Sequence, residues 1–159
     1  MSLDTDITDR RILSVLQRDA TISLDALSDT VNLSRNACWR RVRQMEEAGV
    51  IKARVALVDP DALGLGLSVF VMIRTASHAP DWLAQFEAAV KALPEIVGAH
   101  RMSGDLDYVL RVRVASVKDY DRFYQRLIAR VPVAEISASF VMDDIKDTTA
   151  LPTGSLATK

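Results

Sequence analysis

The sequence has few features that would mark a secreted or membrane-spanning protein. A single cysteine, Cys38, excludes an intramolecular disulfide framework, and the first residues contain no apolar segment like that of a signal peptide. The longest apolar run, residues 63–73, ends at Arg74. It is far shorter than the roughly 20 residues that cross a bilayer. We therefore expect a cytoplasmic protein with no membrane partner.

Recognisable catalytic and metal-binding patterns are also lacking. The sequence contains two histidines, and the motifs HExxH and GxSxG and a glycine-rich phosphate loop are absent. Cys38 has no CxxC partner and no placed base, so a buried structural thiol is favoured over a nucleophile or a redox sensor. We expect neither catalysis nor a metal or other cofactor.

Strong net charge is absent as well, since 20 Lys and Arg residues against 21 Asp and Glu residues give a net charge of −1. Residues 1–59 contain nine basic and nine acidic side chains, so this part of the chain is neutral. A surface that binds nucleic acid must therefore come from the arrangement of charges and not from their sum. The hydrophobic content of 49% is ample for one ordinary domain or two small ones.

Three amphipathic segments precede residue 50, and each predicts a short helix. The first has Asp4 or Thr5 as its candidate N-cap. The second stops at Asn32, and the third begins after Ser34 and ends at Gly49. Asn32 and Gly49 both tolerate the left-handed backbone that ends many helices. The brief break between the second and third helices predicts a helix-turn-helix.

On a helical projection the third segment divides into two faces. Cys38, Val42 and Met45 form an apolar arc that should face the other two helices. Arg41 lies beside this arc, and we expect it to pair with an aspartate of the first helix such as Asp9. The opposite face presents side chains that can bond base edges and phosphates in a major groove. Its candidate DNA-binding residues are Ser34, Arg35, Asn36, Trp39, Arg40 and Arg43.

The segment IKARVALVDP, residues 51–60, alternates apolar and polar side chains and predicts a half-buried strand. As a wing it would bring Lys52 and Arg54 to the DNA backbone. A charged helix face can also be a merely solvated surface, but the three-helix frame and the wing favour DNA binding.

A different pattern begins after a boundary near residue 64. Strands are predicted at LSVFVMIRT, EIVGAHRMS, YVLRVRVA and AEISASFVMDDIK, and helices at PDWLAQFEAAVKAL and VKDYDRFYQRLIARV. The order βαββαβ implies a ferredoxin-like sheet with both helices on one face. The prediction is an α+β protein with a winged helix-turn-helix in residues 1–62, the ferredoxin-like domain in 65–147 and a tail in 148–159. Face-to-face dimerisation is the simplest way to cover the other face of the sheet.

The motifs DRRIL, LSRNACWRRVRQMEEAGVI and SGDLDYVLRVRV occur in order and resemble the Lrp/AsnC (feast/famine) transcriptional regulators over nearly the whole chain. The resemblance implies a DNA-binding dimer that assembles further, often to an octamer, and responds to a small amino acid through its C-terminal domain. The segments CWRRV, VALVDPDALGLGL and KDTTALP are most similar to a branch that responds to cysteine.

The resemblance also implies that the effector lies between neighbouring dimers, around the turn at residues 103–108. Independently of it, a tight turn at Gly104 exposes backbone N–H groups that can take a carboxylate, while nearby aspartates can take an ammonium. The alternative is a plain hairpin turn. The candidate effector residues are Ser103, Gly104, Asp105, Asp107 and Tyr108, with Ser137 and Ser139 of the last strand as weaker candidates. The roles of His100, Arg101 and Met102 stay open.

One other class of function fits the same patterns. The chain could be an amino-acid sensor or assembly module whose N-terminal helices bind protein instead of DNA. A gel-shift assay with the DNA upstream of its own gene would separate the two hypotheses.

Overall fold

The computed structural model describes residues 4–75, 77 and 79–154, which divide into two compact units. The N-terminal unit contains residues 4–56 and 146–154, and the C-terminal unit is Leu57–Ile145. Each unit has its own apolar core. In the part of the chain that is described, no helix has both the length and the apolar character needed to span a membrane.

The N-terminal unit is built on three helices, namely α1 (Ile7–Leu16), α2 (Leu24–Val31) and α3 (Arg35–Glu47). The N-cap of α1 is Asp6 and not the predicted Asp4 or Thr5. The reason is a reciprocal capping box. The Asp6 carboxylate accepts the backbone N–H of Asp9 at 2.8 Å, and the Asp9 carboxylate accepts the backbone N–H of Asp6 at 3.2 Å.

The turn between α2 and α3 forms as predicted. Asn32 ends α2 in a left-handed conformation with φ of 56°, and the Ser34 hydroxyl accepts the backbone N–H of Ala37 at the start of α3. Gly49 follows the last turn of α3 with φ of 72°. These positions confirm the helix-turn-helix and the limits expected for its second helix.

The apolar arc of α3 faces the other two helices, as predicted. Cys38, Val42 and Met45 are buried together with Ile12 of α1 and Leu27 of α2. Burial raises the pKa of the Cys38 thiol. The thiol is therefore protonated at neutral pH and packs as a small apolar side chain.

The wing strand predicted for residues 51–60 is not formed. No described residue pairs with this segment in a sheet, and residues 52–59 are all exposed, with Val55 72% exposed. Alternating side chains alone do not make a strand, because the backbone N–H and C=O groups also need a neighbouring strand as partner. Lys52 and Arg54 are thus exposed on an extended segment and not on a sheet.

The C-terminal unit is a four-stranded antiparallel sheet covered by two helices. Its elements are β1 (Leu67–Thr75), α4 (Pro80–Ala92), β2 (Ile96–Arg101), β3 (Tyr108–Val114), α5 (Val117–Ile128) and β4 (Val133–Phe140). The strand order is β2-β3-β1-β4, which is the ferredoxin-like order. Trp82 and Phe86 of α4 share one core with Phe123 and Leu127 of α5. The predicted α+β fold, with both helices on one face, is confirmed.

The last strand is shorter than predicted. It ends at Phe140, which pairs with Val69 near the start of β1. Beyond this point β1 offers almost no backbone to pair with, and Met142 and Ile145 are each 96% exposed.

Alternation along β1 and β4 sends one set of side chains away from the helices. Met72 lies opposite Ser137, and Phe70 lies opposite Ser139, on this second face. Phe70 is 41% exposed. We call this surface the open face, and it is the surface on which the sequence predicts dimerisation.

The described part of the C-terminal tail lies in the N-terminal unit. The Gln17 side-chain amide donates to the carbonyl of Leu151 at 3.1 Å, and the Leu151 N–H donates to the Gln17 amide oxygen at 2.7 Å. The sequence predicts a separate tail because a contact between residues 134 positions apart leaves no local pattern. Residues 1–3 of the first predicted domain and 155–159 of the predicted tail lie outside the described residues.

Candidate DNA-binding and effector sites

The exposed face of α3 brings the predicted DNA-binding residues together. Asn36, Arg40 and Arg43 are spaced by four and three residues, so they follow one another along one side of the helix, and all are exposed. Trp39 is 50% exposed beside them, and the exposed Ser34 and Arg35 lie at the helix start. The predicted surface on α3 therefore exists as a continuous one.

Arg41 has the opposite environment, as predicted. One terminal nitrogen, Nη1, lies 2.8 Å from Asp6 Oδ2 and 2.8 Å from Asp9 Oδ1, and the Asp9 side chain is only 9% exposed. The hydrogen bond to Asp9, and then that to Asp6, raise the pKa of Arg41. The pKa of Asp6 is lowered mainly by the backbone N–H of Asp9 and further by Arg41. Arg41 thus ties α3 to the start of α1.

Two of the predicted DNA contacts are in ion pairs within the unit. Arg35 Nε lies 3.4 Å from Asp25 Oδ1, and Arg54 Nη2 lies 2.8 Å from Glu46 Oε1. All four side chains are more than 40% exposed. Such pairs contribute only about 0–1 kcal/mol in water, so either arginine can exchange its carboxylate for a phosphate at little cost.

Arg43 is also engaged, through two contacts on its own helix. Its Nε lies 2.8 Å from Glu47 Oε1, and its guanidinium carbon lies 5.4 Å from the centre of the Trp39 ring. The hydrogen bond that Arg43 donates to Glu47 raises the pKa of Arg43. By contrast, Arg40 and Lys52 have no acidic partner among the described residues. Arg40 is therefore the arginine of this face that can contact DNA without first leaving a carboxylate partner.

The predicted effector turn is a loop between β2 and β3. Gly104 has φ of 116°, a conformation that favours glycine, and Ser103, Gly104 and Asp105 are exposed. The N–H of Met102 donates to the carbonyl of Asp107 at 2.8 Å and closes the loop. We call residues 102–107 the β2–β3 loop.

Three hydrogen bonds join the β2–β3 loop to the end of β1. The N–H of Asp107 donates to the Ile73 carbonyl at 3.0 Å, and the Asp107 carboxylate accepts the N–H of Thr75 at 2.8 Å. Arg74 Nε donates to the carbonyl of Asp105 at 2.7 Å. The Asp107 carboxylate therefore holds the loop in place, a role that the sequence does not predict.

The other predicted effector residues lie on opposite faces of the sheet. Ser137 and Ser139 are exposed on the open face. Tyr108 is 8% exposed, and its ring centre lies 4.5 Å from that of Phe86 and 5.6 Å from that of Trp82. The Tyr108 ring is thus part of the core, because its position in β3 faces the helices, and it does not join the exposed groups of the loop.

Each of the two units matches a known protein family model. Residues 68–151 match the family model of the Lrp/AsnC ligand binding domain, and residues 5–52 match that of a winged helix-turn-helix DNA-binding domain. The chain belongs to the Lrp/AsnC family. It is a DNA-binding transcriptional regulator with a ligand binding domain.

Individual relatives cover almost the whole regulator. It is 45% identical to the DNA-binding transcriptional activator DecR of Escherichia coli strain K12, over 92% of this chain and 97% of DecR. The crystal structure of an AsnC family transcriptional regulator from Agrobacterium tumefaciens is 49% identical, with a TM-score of 0.90 over 93% of this chain and 97% of the other. A transcriptional regulator from Neisseria meningitidis, solved as an L-Met complex, is 33% identical, with a TM-score of 0.90 over 95% and 98% of the two chains.

Residues of β1 and β4 that surround the β2–β3 loop were not among the residues predicted from the sequence. Arg74 and Thr75 bond to it directly, and Glu135 contacts Arg74. A signal for Arg74 was available, because alternation along LSVFVMIRT places Phe70, Met72 and Arg74 on one face. The register that brings Glu135 to Arg74 is not visible in either strand alone.

Proposed function

We propose that this Lrp/AsnC regulator binds operator DNA through the exposed face of α3, and that a small amino acid bound near the β2–β3 loop changes its DNA affinity or its assembly. The observation that carries the DNA-binding proposal is the division of α3 between neighbouring arginines. Arg41 is fixed to Asp6 and Asp9, whereas Arg40 is exposed without an acidic partner among the described residues.

Each residue of the face has a distinct proposed role. Arg40 is suited to a guanine edge and Asn36 to an adenine edge, because these pairs form two parallel hydrogen bonds in the major groove. The remaining candidates contact phosphates or pack beside the DNA backbone. Those cations that have a carboxylate partner exchange it for a phosphate. These candidates are Ser34, Arg35, Trp39, Arg43, Lys52 and Arg54.

The proposed effector site uses the exposed groups at one end of the sheet. Backbone N–H groups around Gly104 can take a carboxylate, while Ser103 and Asp105 supply side-chain oxygens. The L-Met complex of the Neisseria relative supports an amino acid as ligand. We include cysteine among the proposed effectors because the sequence resembles a cysteine-responsive branch of the family.

Assembly is the third part of the proposal. Two copies pack through their open faces, which would cover Phe70, and dimers associate further to an octamer with the effector between them. A dimer whose α3 helices lie about one DNA turn apart, roughly 34 Å, reads a palindromic operator.

The test is calorimetric titration of the full chain with cysteine, leucine, methionine, glutamate and asparagine, followed by gel-shift on the DNA upstream of its own gene. We expect at least one amino acid to bind below millimolar concentration and to change the gel-shift midpoint. Binding of an amino acid without any DNA shift would favour the alternative, in which the N-terminal helices bind protein. If no amino acid binds, the effector half of the proposal is wrong.

A further inference from the structure

The ion pair between Arg74 and Glu135 lies at the end of the sheet where the β2–β3 loop joins β1. We infer that these two side chains recognise the charged ends of the effector: Arg74 binds its carboxylate and Glu135 binds its ammonium. The inference rests on the proposed function, since it assigns new residues to the same effector site.

Sheet geometry places the two residues side by side. Arg74 and Glu135 are directly opposite in the antiparallel ladder of β1 and β4, so their side chains leave the sheet on the same face. Arg74 Nη1 lies 3.4 Å from Glu135 Oε2, and the side chains are 48% and 66% exposed. The register of the ladder shifts immediately after Arg74. Irregularities of this kind are frequent beside functional sites because they redirect side chains.

The Arg74–Glu135 pair is weak enough to be exchanged. An exposed ion pair at this distance contributes about 0–1 kcal/mol, so separating the two charges costs little. A zwitterion brings one charge for each of them, and the total charge of the site does not change. The planar guanidinium can form two parallel hydrogen bonds to a carboxylate, which are stronger and more specific than a single contact.

The surroundings of the pair connect both parts of the candidate site. Arg74 Nε donates to the carbonyl of Asp105, so its guanidinium is already fixed against the β2–β3 loop. Ser137 follows Glu135 by two residues on the same face of β4 and lies opposite the half-buried Met72. The apolar side chain of an amino acid therefore has the half-buried Met72 beside it, while its charged end meets Arg74 and Glu135.

The test combines two substitutions with three probes in the full chain. The variants are Arg74→Met and Glu135→Gln, which remove one charge each and keep similar size. The probes are L-methionine, 3-(methylthio)propylamine, which lacks the carboxylate, and 4-(methylthio)butanoate, which lacks the ammonium. If the wild type binds leucine more tightly than methionine in the calorimetric titrations, the three probes are leucine and the amine and the acid that correspond to it. Lys91→Met and Glu87→Gln serve as matched controls, because this exposed pair lies on α4.

We expect each site variant to bind the amino acid at least about tenfold more weakly than wild type, with the controls unchanged. Arg74→Met should bind the amine as wild type does, and Glu135→Gln should bind the acid as wild type does. A mere loss of loop structure would weaken all three probes equally.

The outcomes separate this inference from the proposed function. If wild type binds an amino acid and both site variants bind it equally well, the assignment of Arg74 and Glu135 is overturned and the proposed function stands. Equal weakening of all three probes in both variants also overturns the assignment. If wild type binds no amino acid, both the proposed function and the inference fail.

Discussion

Helix α3 and the β2–β3 loop both present polar groups to solvent, but the partners of these exposed groups come from different distances along the chain. On α3, Arg43 pairs with Glu47 four residues later. In the loop, Asp105 bonds to Arg74, 31 residues earlier, and Asp107 bonds to Thr75, 32 residues earlier. Helical periodicity therefore reveals what a side chain of α3 faces, whereas the contacts of the loop follow from the register of the sheet.

The substitution with the largest expected effect tests whether the loop depends on β1. Asp107→Ala removes the acceptor for the half-buried Thr75 N–H, and an unmet hydrogen bond of this kind costs about 1–3 kcal/mol. We expect effector affinity, measured by calorimetry, to fall by roughly 5- to 150-fold and effector-free DNA binding to stay near wild type.

Asp107→Asn is the matched control, because its amide oxygen can still accept the Thr75 N–H although the charge is lost. We expect it to bind effector within about threefold of wild type. If Asn is as defective as Ala, Asp107 binds the ammonium directly and the comparison between helix and loop is weakened.

Arg41→Ala tests the helix side of the comparison. It leaves the nearly buried Asp9 carboxylate without its guanidinium, and we expect the unfolding free energy to fall by about 1–3 kcal/mol. Thermal denaturation should show a midpoint lower by several degrees, since each 1 kcal/mol shifts a small domain by roughly 4–8 °C. Arg40→Ala is the control and should melt as wild type does. An unaltered midpoint for Arg41→Ala would mean that α3 is not held through this residue.

These contrasts show which features of the fold could be predicted from the sequence. Caps at Asn32 and Ser34, the buried arc around Cys38 and the βαββαβ order follow from local patterns, and all are present in the structure. The prediction of a wing strand was wrong because alternation of side chains does not provide a partner strand. The N-cap at Asp6 was missed because the reciprocal bonds with Asp9 outweigh the nearer polar candidates.

The effector end of the sheet was predictable only in part. Glycine at position 104 indicates a turn, and its positive φ agrees with that. The burial of Tyr108 and the meeting of Arg74 with Glu135 depend on which strands are neighbours and in which register, and no single segment encodes this information.

The pH dependence of stability gives a smaller effect. The pKa of Asp6 is lowered in the folded protein, so its charge stabilises the fold above the ordinary aspartate pKa of 3.8 and this contribution is lost as the pH falls through the lowered folded value. Asp6→Asn keeps a capping oxygen but removes the charge. We expect it to melt below wild type at pH 7 and to approach wild type under acid conditions. A difference between the two melting midpoints that is constant with pH would contradict the assignment.

The smallest expected effect concerns the tail. Gln17→Ala removes both hydrogen bonds to Leu151, which lie at the surface and contribute at most about 1 kcal/mol together. We expect global stability to change little and the Leu151 amide to exchange faster with deuterated water. The amides in the middle of α1 serve as internal controls. Unchanged exchange at Leu151 would show that other contacts hold the segment.

The most direct test of DNA binding through α3 is the affinity of Arg40→Ala and Arg41→Ala for operator DNA across a range of salt concentrations, at a temperature where both are folded. We predict that Arg40→Ala loses about 1–3 kcal/mol of binding with relaxed preference at one base pair, or lowers the salt slope by about one unit, while Arg41→Ala binds as wild type does. If Arg40→Ala kept both the affinity and the salt slope of wild type, the exposed face of α3 would not be the DNA-binding surface.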